Sequence, residues 1–577
     1  MTMGATSDMV MEGYDAQDSL LLALPTELML QCISYLAPLD LISASRTCRA
    51  LQKSASTDTL WQTHVNASLP SPITSPAPLS SFKELYVAHH AYWFLPRHQL
   101  WISDSEPCGQ LVVARFNPSK GSIEAYAVVA ERGEHTVSQW SENHQVMIHS
   151  FDPLVKLHFD RPVLKLTAGG RRVSISQSSP RGPLDSFFSS EPSPKEPPRL
   201  SQEILMDCAH SNSPAGVRTS FVLSRDLPGQ YINQGSAVWP PLNIPAPSRT
   251  RNLSGSDFSS LGHRPTKHSE VSEHTFRVRR WMEYANRRNS SSLAQFSGFD
   301  RLVAAPGLSL FASSVGGGNF DRRGENVTTF GTIDPTAYTP TRRKPWRGIY
   351  CGDYSGHGCE FLLVLQPDEG TEDPLPEGLN WLNEWLTGER PAAENPSDVT
   401  VRTYTRMNEI LTNMAERDGF RHRANAFDDD DDEESEEETD EEDDWEEPEG
   451  VRGDLERQTS VAADSAVESE DIYSGRLVAI KLTGDPHVPR GQITFIAPDL
   501  GEKGLVRTAE EDIFRGARVV RSAGHVANRG FIHDEYIPSQ LILVSHDRLA
   551  QYWQGLGHIS FYKRVDMDAL MSHMQSA

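Results

Sequence analysis

The hydrophobic pattern opens with helical periodicity in residues 20–65. Leu28, Cys32 and Leu36 recur every four residues, which is the spacing of one face of an α-helix, and Pro38 ends that segment. A second short apolar stripe follows it. Two such helices carry more apolar surface than they can bury against each other, so we expect the following domain or a partner protein to cover the excess.

Alternation of apolar and polar residues replaces this pattern in the C-terminal part of the chain. Val478, Ile480 and Leu482 fall on one side of a predicted strand, and Lys481 and Thr483 fall on the other. Similar strand-bearing stretches occur at 95–166, 345–366 and 472–565, separated by polar segments. Closing these strands into a barrel removes their exposed edges.

The pattern therefore predicts an α+β multi-domain protein, in which a small helical module precedes an interrupted β-barrel-like domain with long disordered insertions. The predicted boundaries are a helical module at 20–65, a Pro/Ser linker at 66–81, three parts of the β domain at 82–175, 300–366 and 471–566, a mostly disordered Ser/Pro/Arg-rich insertion at 176–299, and a helical, then acidic and disordered insertion at 367–470.

Short local patterns refine this division. Residues 82–95 form an amphipathic segment of helix length, and residues 274–288, 376–390 and 402–418 are also predicted as helices. Within the Ser/Pro/Arg-rich insertion, residues 220–224 have the composition of a strand.

The net negative charge of the chain comes from one segment. The formal net charge of −25 is concentrated in residues 428–449, which hold 18 acidic residues and no basic one. Outside that run 54 basic residues stand against 61 acidic ones, which is ordinary for a soluble protein. The acidic run is typical of a solvated, disordered spacer and does not describe the surface of the whole chain.

Six cysteines scattered over 577 residues do not form a disulfide framework. The N-terminal residues lack the basic and apolar regions of a signal peptide, and the longest apolar runs are far shorter than the roughly 20 residues that span a bilayer. We therefore expect a reducing compartment, cytoplasmic or nuclear, with no membrane as partner.

The segment RGIYCGDYSGHGCEF, residues 347–361, concentrates groups that can carry chemistry. Cys351, His357 and Cys359 could bind zinc, but the C-x₇-C spacing without a second pair does not match a structural zinc site. Ser355 stands one position late for a hydrolase nucleophile elbow, and a strand rather than a helix follows it. The segment also lacks the Gly-Lys-Ser/Thr ending of a phosphate loop. We favour a hairpin whose glycines form the turn, with no metal and no cofactor.

Basic patches at 277–281 and 341–347 raise the question of nucleic acid. Neither patch belongs to a recognised nucleic-acid-binding module, and neither is accompanied by a set of aromatic residues for base stacking. Nucleic acid is therefore not expected as a partner. Solvated arginines, or pairing with the acidic run, are the alternative explanation.

The helical module resembles the F-box. The match includes Leu24-Pro25, Glu27-Leu28, Tyr35-Leu36, Thr47-Cys48-Arg49 and Trp61. F-box domains are small helical modules that bind the adaptor Skp1, so the resemblance implies that Skp1 covers the surplus apolar face. The residues that it places at this contact are Leu24, Pro25, Leu28, Ile33, Leu36, Leu39 and Leu41.

Three later segments resemble the C-terminal region of an F-box-only substrate receptor: 347–364, 478–495 with its TGDPxxPxGQ element, and 522–565. In such receptors a β-barrel-like domain binds protein substrates, with a link to their C-terminal ends. The resemblance implies substrate contacts at two turns and one strand, namely Tyr354, Gly356, His357, Gly358, Thr483, Gly484, Asp485, Pro486, Gly524 and His525.

Pattern and resemblance together predict the substrate-recognition subunit of a Skp1–cullin–F-box (SCF) E3 ubiquitin ligase. Such a receptor brings substrates to a cullin–RING ligase and performs no covalent chemistry itself. Two alternatives remain open at this point: a Skp1-bound scaffold that works outside a ligase, and a hydrolase using Ser355 and His357.

Overall fold

The structure is a computed structural model, and it describes most of the chain outside the longest polar segments. The described residues are 20–133, 136–141, 143–173, 198–208, 217–232, 237–252, 263–282, 325–354, 358–368, 374–387, 396–418 and 471–576. They divide into two units. The first comprises the described residues up to Gln99 with Ala114–Ala125 and Leu164–Arg172, and the second comprises Leu100–Val113, Tyr126–Val163 and the described residues from Val173 onward.

Six helices form most of the first unit: α1 Thr26–Ser34, α2 Pro38–Ser45, α3 Arg49–Ala55, α4 Asp58–Asn66, α5 Phe82–Ala88 and α6 Phe94–His98. Pro38 begins α2, because a proline at the first helical position lacks only an N–H that has no helical partner there. The helices pack around Trp61, whose Nε1–H donates to the carbonyl of Ala55 at 2.8 Å. The predicted helix over 82–95 is interrupted, because Ala91 adopts a left-handed φ of 76°.

Two large sheets account for most strands of the described residues. The strands are β1 Leu100–Ser103, β2 Leu111–Asn117, β3 Ser122–Glu131, β4 Val137–Gln139, β5 Met147–His149, β6 Leu154–Thr167, β7 Arg172–Val173, β8 Glu203–Met206, β9 Val217–Leu223, β10 Val238–Trp239, β11 Thr250–Arg251, β12 Thr275–Met282, β13 Glu325–Gly331, β14 Gly348–Asp353, β15 Cys359–Leu365, β16 Leu477–Lys481, β17 Ile493–Ala497, β18 Leu505–Thr508, β19 Arg518–Asn528, β20 Ile532–Leu543, β21 Arg548–Trp553 and β22 His558–Arg564.

In the first sheet, β1, β13, β12, β9 and β8 lie side by side in that order. β12 pairs antiparallel with both β13 and β9, so Phe276 faces Phe330 across one pair and Leu223 across the other. This sheet corrects two sequence-based expectations. The helix predicted at 274–288 is strand β12 in its described part, and the predicted insertion 176–299 supplies β8, β9 and β12, with residues 220–223 forming a strand as expected.

Eight strands of the second sheet form a closed barrel, which confirms the predicted β-barrel-like domain. The neighbours run β14, β15, β16, β17, β19, β20, β21 and β22, and β22 returns to pair with β14 at Tyr350–Arg564 and Gly352–Tyr562. All eight strands come from 348–564. The stretch 95–166, which we expected to supply barrel strands, instead supplies β1 to the first sheet and β4 and β5 to the edge of the barrel sheet.

Successive residues along a barrel strand point alternately into the barrel and out of it, and both sets form buried apolar layers. The barrel interior is filled by Tyr350, Leu362, Phe495, Leu549 and Tyr562. The outward residues of the same strands pack against the first sheet, where they form a second apolar layer that includes Leu100, Ile102, Ile349, Leu363, Val478 and Ile480. Each fully buried side chain of this size contributes about 1.5–3 kcal/mol through removal of apolar surface from water. The barrel is therefore held from within and from one outer side.

In the described part of the second unit the α-helices are α7 Pro335–Tyr338, α8 Asn383–Thr387, α9 Pro396–Asp418 and α10 Met567–Ser576. Helices predicted at 376–390 and 402–418 are confirmed by α8, with the 3₁₀ turn Glu377–Leu382 before it, and by α9. Met407 and Ile410 of α9 pack on Ile537 and Trp553 of the barrel. Among the described residues, none of the helices has the length and apolar character needed to cross a bilayer.

Gly524 is a packing constraint of the barrel that a simple substitution tests. A Cβ at this position would lie 2.1 Å from Cζ3 of Trp553, and Trp553 is itself held by Met407, Ile410 and Ile537. We expect Gly524→Ala to lower the free energy of unfolding by about 1–3 kcal/mol, which is typical of overpacked cores, in a urea denaturation experiment. Gly229→Ala, where nothing lies within 4 Å of the new Cβ, is the matched control and should leave stability nearly unchanged. Equal stability of the two variants would contradict this account.

Candidate functional site

The antiparallel strand order brings four connections to one end of the barrel. They are residues 354–358 between β14 and β15, 482–492 between β16 and β17, 529–531 between β19 and β20, and 554–557 between β21 and β22. We call this end the barrel mouth. Most of the substrate residues implied by the resemblance belong to the first two of these connections, so the fold brings together segments more than 100 residues apart in the sequence.

A buried lysine organises the inner side of the mouth. Lys481 Nζ lies 2.8 Å from Glu360 Oε2 and 2.5 Å from Asp485 Oδ2, and it stands 4.2 Å from the centre of the Tyr354 ring. We call Tyr354, Glu360, Lys481 and Asp485 the lysine cluster. A cation held by one carboxylate and one aromatic face is well compensated in a site from which water is excluded.

Asp485 also fixes the loop 482–492. Its Oδ1 accepts hydrogen bonds from the backbone N–H groups of His487 at 2.6 Å and Val488 at 2.8 Å, which is the geometry of an aspartate-stabilised turn. Gly484 precedes Asp485 in the same turn, and a side chain does not fit there. A Cβ at this position would lie 2.3 Å from the backbone nitrogen of Arg490. Thr483 Oγ1 accepts from the N–H of Phe361 at 2.7 Å and ties the loop to β15.

The pKa values of the two carboxyl groups in the lysine cluster are shifted in opposite directions. Burial raises the pKa of Glu360 to about 8, and the neighbouring Asp485 adds to this effect, while the attraction of Lys481 opposes it. Burial also acts to raise the pKa of Asp485, but Lys481 and the backbone amides outweigh it and lower that pKa to about 2. At neutral pH the cluster therefore holds one ammonium, one carboxylate and one neutral carboxylic acid.

Gly524 and His525, also implied as substrate residues, lie on β19 and face opposite sides of it. Gly524 points into the barrel beneath Trp553. His525 stacks on Tyr536 with ring centres 4.3 Å apart, its Nδ1 lies 2.8 Å from the carbonyl oxygen of Ile493, and its Nε2 lies 3.1 Å from Asp534 Oδ2. The structure therefore does not place both residues on one surface.

The mouth also exposes apolar residues that sequence reasoning missed. Ile532 and Leu556 are 53% and 50% exposed, whereas Tyr354 and Phe531, which also belong to the mouth connections, are half-buried. Phe531 and His533 have φ values of 56° and 53°, a left-handed conformation that is unfavourable for such side chains. Alternation alone does not reveal exposed apolar residues at a strand end, so no sequence signal marked them.

Three residues of the segment that concentrated candidate chemistry lie outside the described residues. These are Ser355, Gly356 and His357, and with them both members of the hydrolase alternative. Gly358 is described and exposed, with a φ of 85° that suits glycine in the turn. The hairpin itself is confirmed by the antiparallel pairing of β14 and β15. Within the described part of the chain, no cluster of three potential metal ligands occurs.

The helical unit divides the implied Skp1 contacts into exposed and buried residues. Pro25, Leu28 and Leu39 are exposed, and both leucines are 48% accessible. Leu24 and Leu36 are half-buried, whereas Ile33 and Leu41 lie in the core and hold the helices together. Three further exposed apolar residues, which sequence reasoning missed, extend this surface: Leu20, Leu21 and Tyr35. We call the exposed set, with Leu24, the apolar helix face.

Two family models match separate parts of the chain. Residues 21–67 match the model of the F-box-like family, and residues 330–569 match the model described as Cyclin D1 binding domain. No match is found among curated proteins. The chain thus carries an F-box-like domain, as the helical pattern and resemblance predicted, and the second match contains all eight barrel strands.

The raised pKa of Glu360 predicts a specific pH dependence of stability. Glu360 binds a proton in the folded chain up to about pH 8, whereas an ordinary glutamate loses it near 4.5, so the free energy of unfolding falls as pH rises between these values. We expect Glu360→Gln to flatten this decline between about pH 5 and about pH 8 in denaturant titrations, because glutamine cannot ionise.

Glu511→Gln is the matched control for this experiment. Arg507 and nearby amides lower the pKa of Glu511 to about 2, so its titration lies below the tested range. That substitution should lower stability by a similar amount at every pH from about 5 to about 8 and leave the slope unchanged. A Glu360→Gln variant with the same slope as the native chain would exclude a protonated Glu360.

Proposed function

We propose that this chain is the substrate receptor of an SCF-type E3 ubiquitin ligase. The observation that carries the proposal is the combination of an exposed apolar helix face in the F-box-like domain with a second domain matched as Cyclin D1 binding. One surface suits an adaptor and the other suits a substrate. The same segments resemble F-box-only protein thirty-one, and we propose that the chain is a receptor of that kind.

The apolar helix face is the proposed Skp1 contact. Leu28, Tyr35 and Leu39 are large apolar side chains exposed on short neighbouring helices, a combination that costs solubility unless a partner covers them. Leu24, Leu28, Cys32 and Tyr35 line a shallow groove in which apolar side chains of an adaptor helix can be buried. Ile33 and Leu41 support this surface from beneath.

The barrel mouth is the proposed substrate site. Exposed Ile532 and Leu556 offer apolar contacts, and the same end of the barrel carries Tyr354, whose ring lies over Lys481. Gly358, which lacks a side chain, allows a peptide backbone to approach the turn closely. The family description favours cyclin D1 as the class of substrate, and an extended C-terminal peptide end is the ligand shape that this mouth suits best.

The mechanism that follows is proximity. A receptor that holds adaptor and substrate together converts ubiquitin transfer into an effectively intramolecular reaction, so it needs binding surfaces rather than a nucleophile. The lysine cluster fits this role as a rigid support for the mouth, because its charges are satisfied internally. We therefore propose a non-catalytic function for this chain.

The first test concerns the adaptor. We expect Leu28→Asp/Leu39→Asp to lower Skp1 capture at least tenfold in a pull-down with purified Skp1, because two charges replace apolar contacts and each tenfold step needs only about 1.4 kcal/mol. Circular dichroism should stay unchanged, since both side chains are exposed.

Val401→Asp is the control, because it places the same charge on an exposed apolar position of α9, and it should retain native capture. Undiminished Skp1 capture by the double variant would refute the proposed contact. If the native chain captures Skp1 normally but the complex fails to bind a purified cullin added to it, the result would instead favour a scaffold that works outside a ligase.

The second test concerns the substrate. We expect Ile532→Asp/Leu556→Asp to weaken binding of a cyclin D1 C-terminal peptide at least tenfold by fluorescence anisotropy, while Skp1 capture stays at the native level. Val401→Asp again serves as the control for an added surface charge. Native peptide affinity in the double variant would place the substrate site elsewhere on the barrel domain.

A further inference from the structure

Two free cysteines share one face of the β14–β15 hairpin. Cys351 pairs with Phe361 and Asp353 pairs with Cys359, so the cysteines are diagonal neighbours on adjacent strands. Such neighbours are within reach of each other across an antiparallel pair. Cys351 belongs to the apolar layer between the barrel and the first sheet, and Cys359 packs against the same layer. The hairpin therefore places two free thiols on one face, in neighbouring positions.

The two thiols are chemically unequal. Cys351 is fully buried, and its hydrogen bond to Cys359 together with burial raises the pKa of its thiol. Cys359 is only half-buried, and the pKa of its thiol is lowered chiefly by the Cys351 thiol and to a smaller extent by Arg132, while burial and Asp353 oppose this shift. Arg132 Nη2 is fixed 2.6 Å from Asp353 Oδ2. Cys359 is thus the accessible nucleophile and Cys351 the resolving thiol.

We propose that Cys351 and Cys359 form a reversible redox modification site that closes to an intramolecular disulfide when a small-molecule disulfide is the oxidant. The thiolate of Cys359 attacks one sulfur of that molecule, and the other sulfur leaves as a thiolate. Cys351 gives up its proton and attacks the Cys359 sulfur of the mixed disulfide, which releases the second small thiol. Two protein thiols are oxidised, and one disulfide is reduced to two thiols.

The bond would close a ring around the turn at the barrel mouth. Residues 352–358, including Tyr354 of the lysine cluster, lie between the two cysteines. A disulfide of about 2.05 Å is much shorter than a hydrogen-bonded approach of two sulfur atoms, so closure draws the strand ends together. A small thiol can reach the half-buried Cys359 sulfur and reduce the bond again, which suits a reversible modification rather than a permanent staple.

The test uses the full chain treated with oxidised glutathione. Trypsin cleaves after Arg347 and leaves both cysteines in one peptide, because the next basic residue is Arg390. We expect this peptide to appear two hydrogen atoms lighter by mass spectrometry, to resist alkylation, and to recover both alkylatable thiols after reduction. A stable glutathione adduct in the native chain, or two free thiols while the exposed Cys32 has reacted, would overturn the proposal.

Variants separate the roles of the two sulfurs. Cys351→Ser should trap glutathione on Cys359, and Cys359→Ser should abolish reaction of the peptide, whereas Cys32→Ser should leave the bridge intact. Arg132→Gln should slow bridge formation by making the Cys359 thiolate less available. Because Cys351 is buried, circular dichroism checks the fold of its variant, and the native-chain result decides the proposal even if that variant unfolds. A glutathione adduct on Cys351 in the Cys359→Ser variant would contradict the assignment of Cys359 as the nucleophile.

Discussion

The pairing of β22 with β14 is the constraint on which the rest of the second unit depends. It joins the last barrel strand to the first, so that Tyr350 and Gly352 face Arg564 and Tyr562 and no strand of the barrel keeps an open edge. Closure creates an interior that can hold Phe495, Leu549 and Tyr562 away from water. It also fixes the direction of every strand, and this direction decides which loops meet at the mouth. A buried lysine becomes tolerable there because closure brings two carboxyl groups and an aromatic ring around it.

The two units use apolar surface in different ways. In the helical unit Leu28 and Leu39 remain exposed although Ile33 and Leu41 are fully packed, so the surplus is a property of the surface and not of an incomplete core. In the barrel unit most large apolar residues are buried, and two of the exposed exceptions, Ile532 and Leu556, lie at the mouth. A binding protein needs some exposed apolar side chains, because a partner that buries them removes their surface from water and so gains binding free energy.

Much of this architecture could be predicted from residue patterns, and the failures have physical causes. The helices around Leu28, the hairpin at 347–361 and helix α9 follow local periodicity, which is why they were predicted correctly. Residues 274–288 were predicted as a helix, but the pairing of β12 with β9 and β13 makes the described part a strand, and this pairing is not visible in the local sequence. The side chain of Lys481 was expected opposite Val478, as observed, but only barrel closure reveals that this side is the interior. Glu360 carries no local signal for its role, because its partner Lys481 is 121 residues away.

The interruption between β15 and β16 has a consequence for how this domain can vary. These strands are direct neighbours in the barrel, pairing Leu363 with Ile480, although the chain leaves the barrel for more than 100 residues between them. The entropy of closing such a connection grows only slowly with its length, by about 0.6 kcal/mol for each doubling. Insertions or deletions in this connection therefore cost the barrel very little, provided that α9 keeps its contacts with Ile537 and Trp553. The acidic run occupies the part of the domain where sequence can change most freely without loss of the fold.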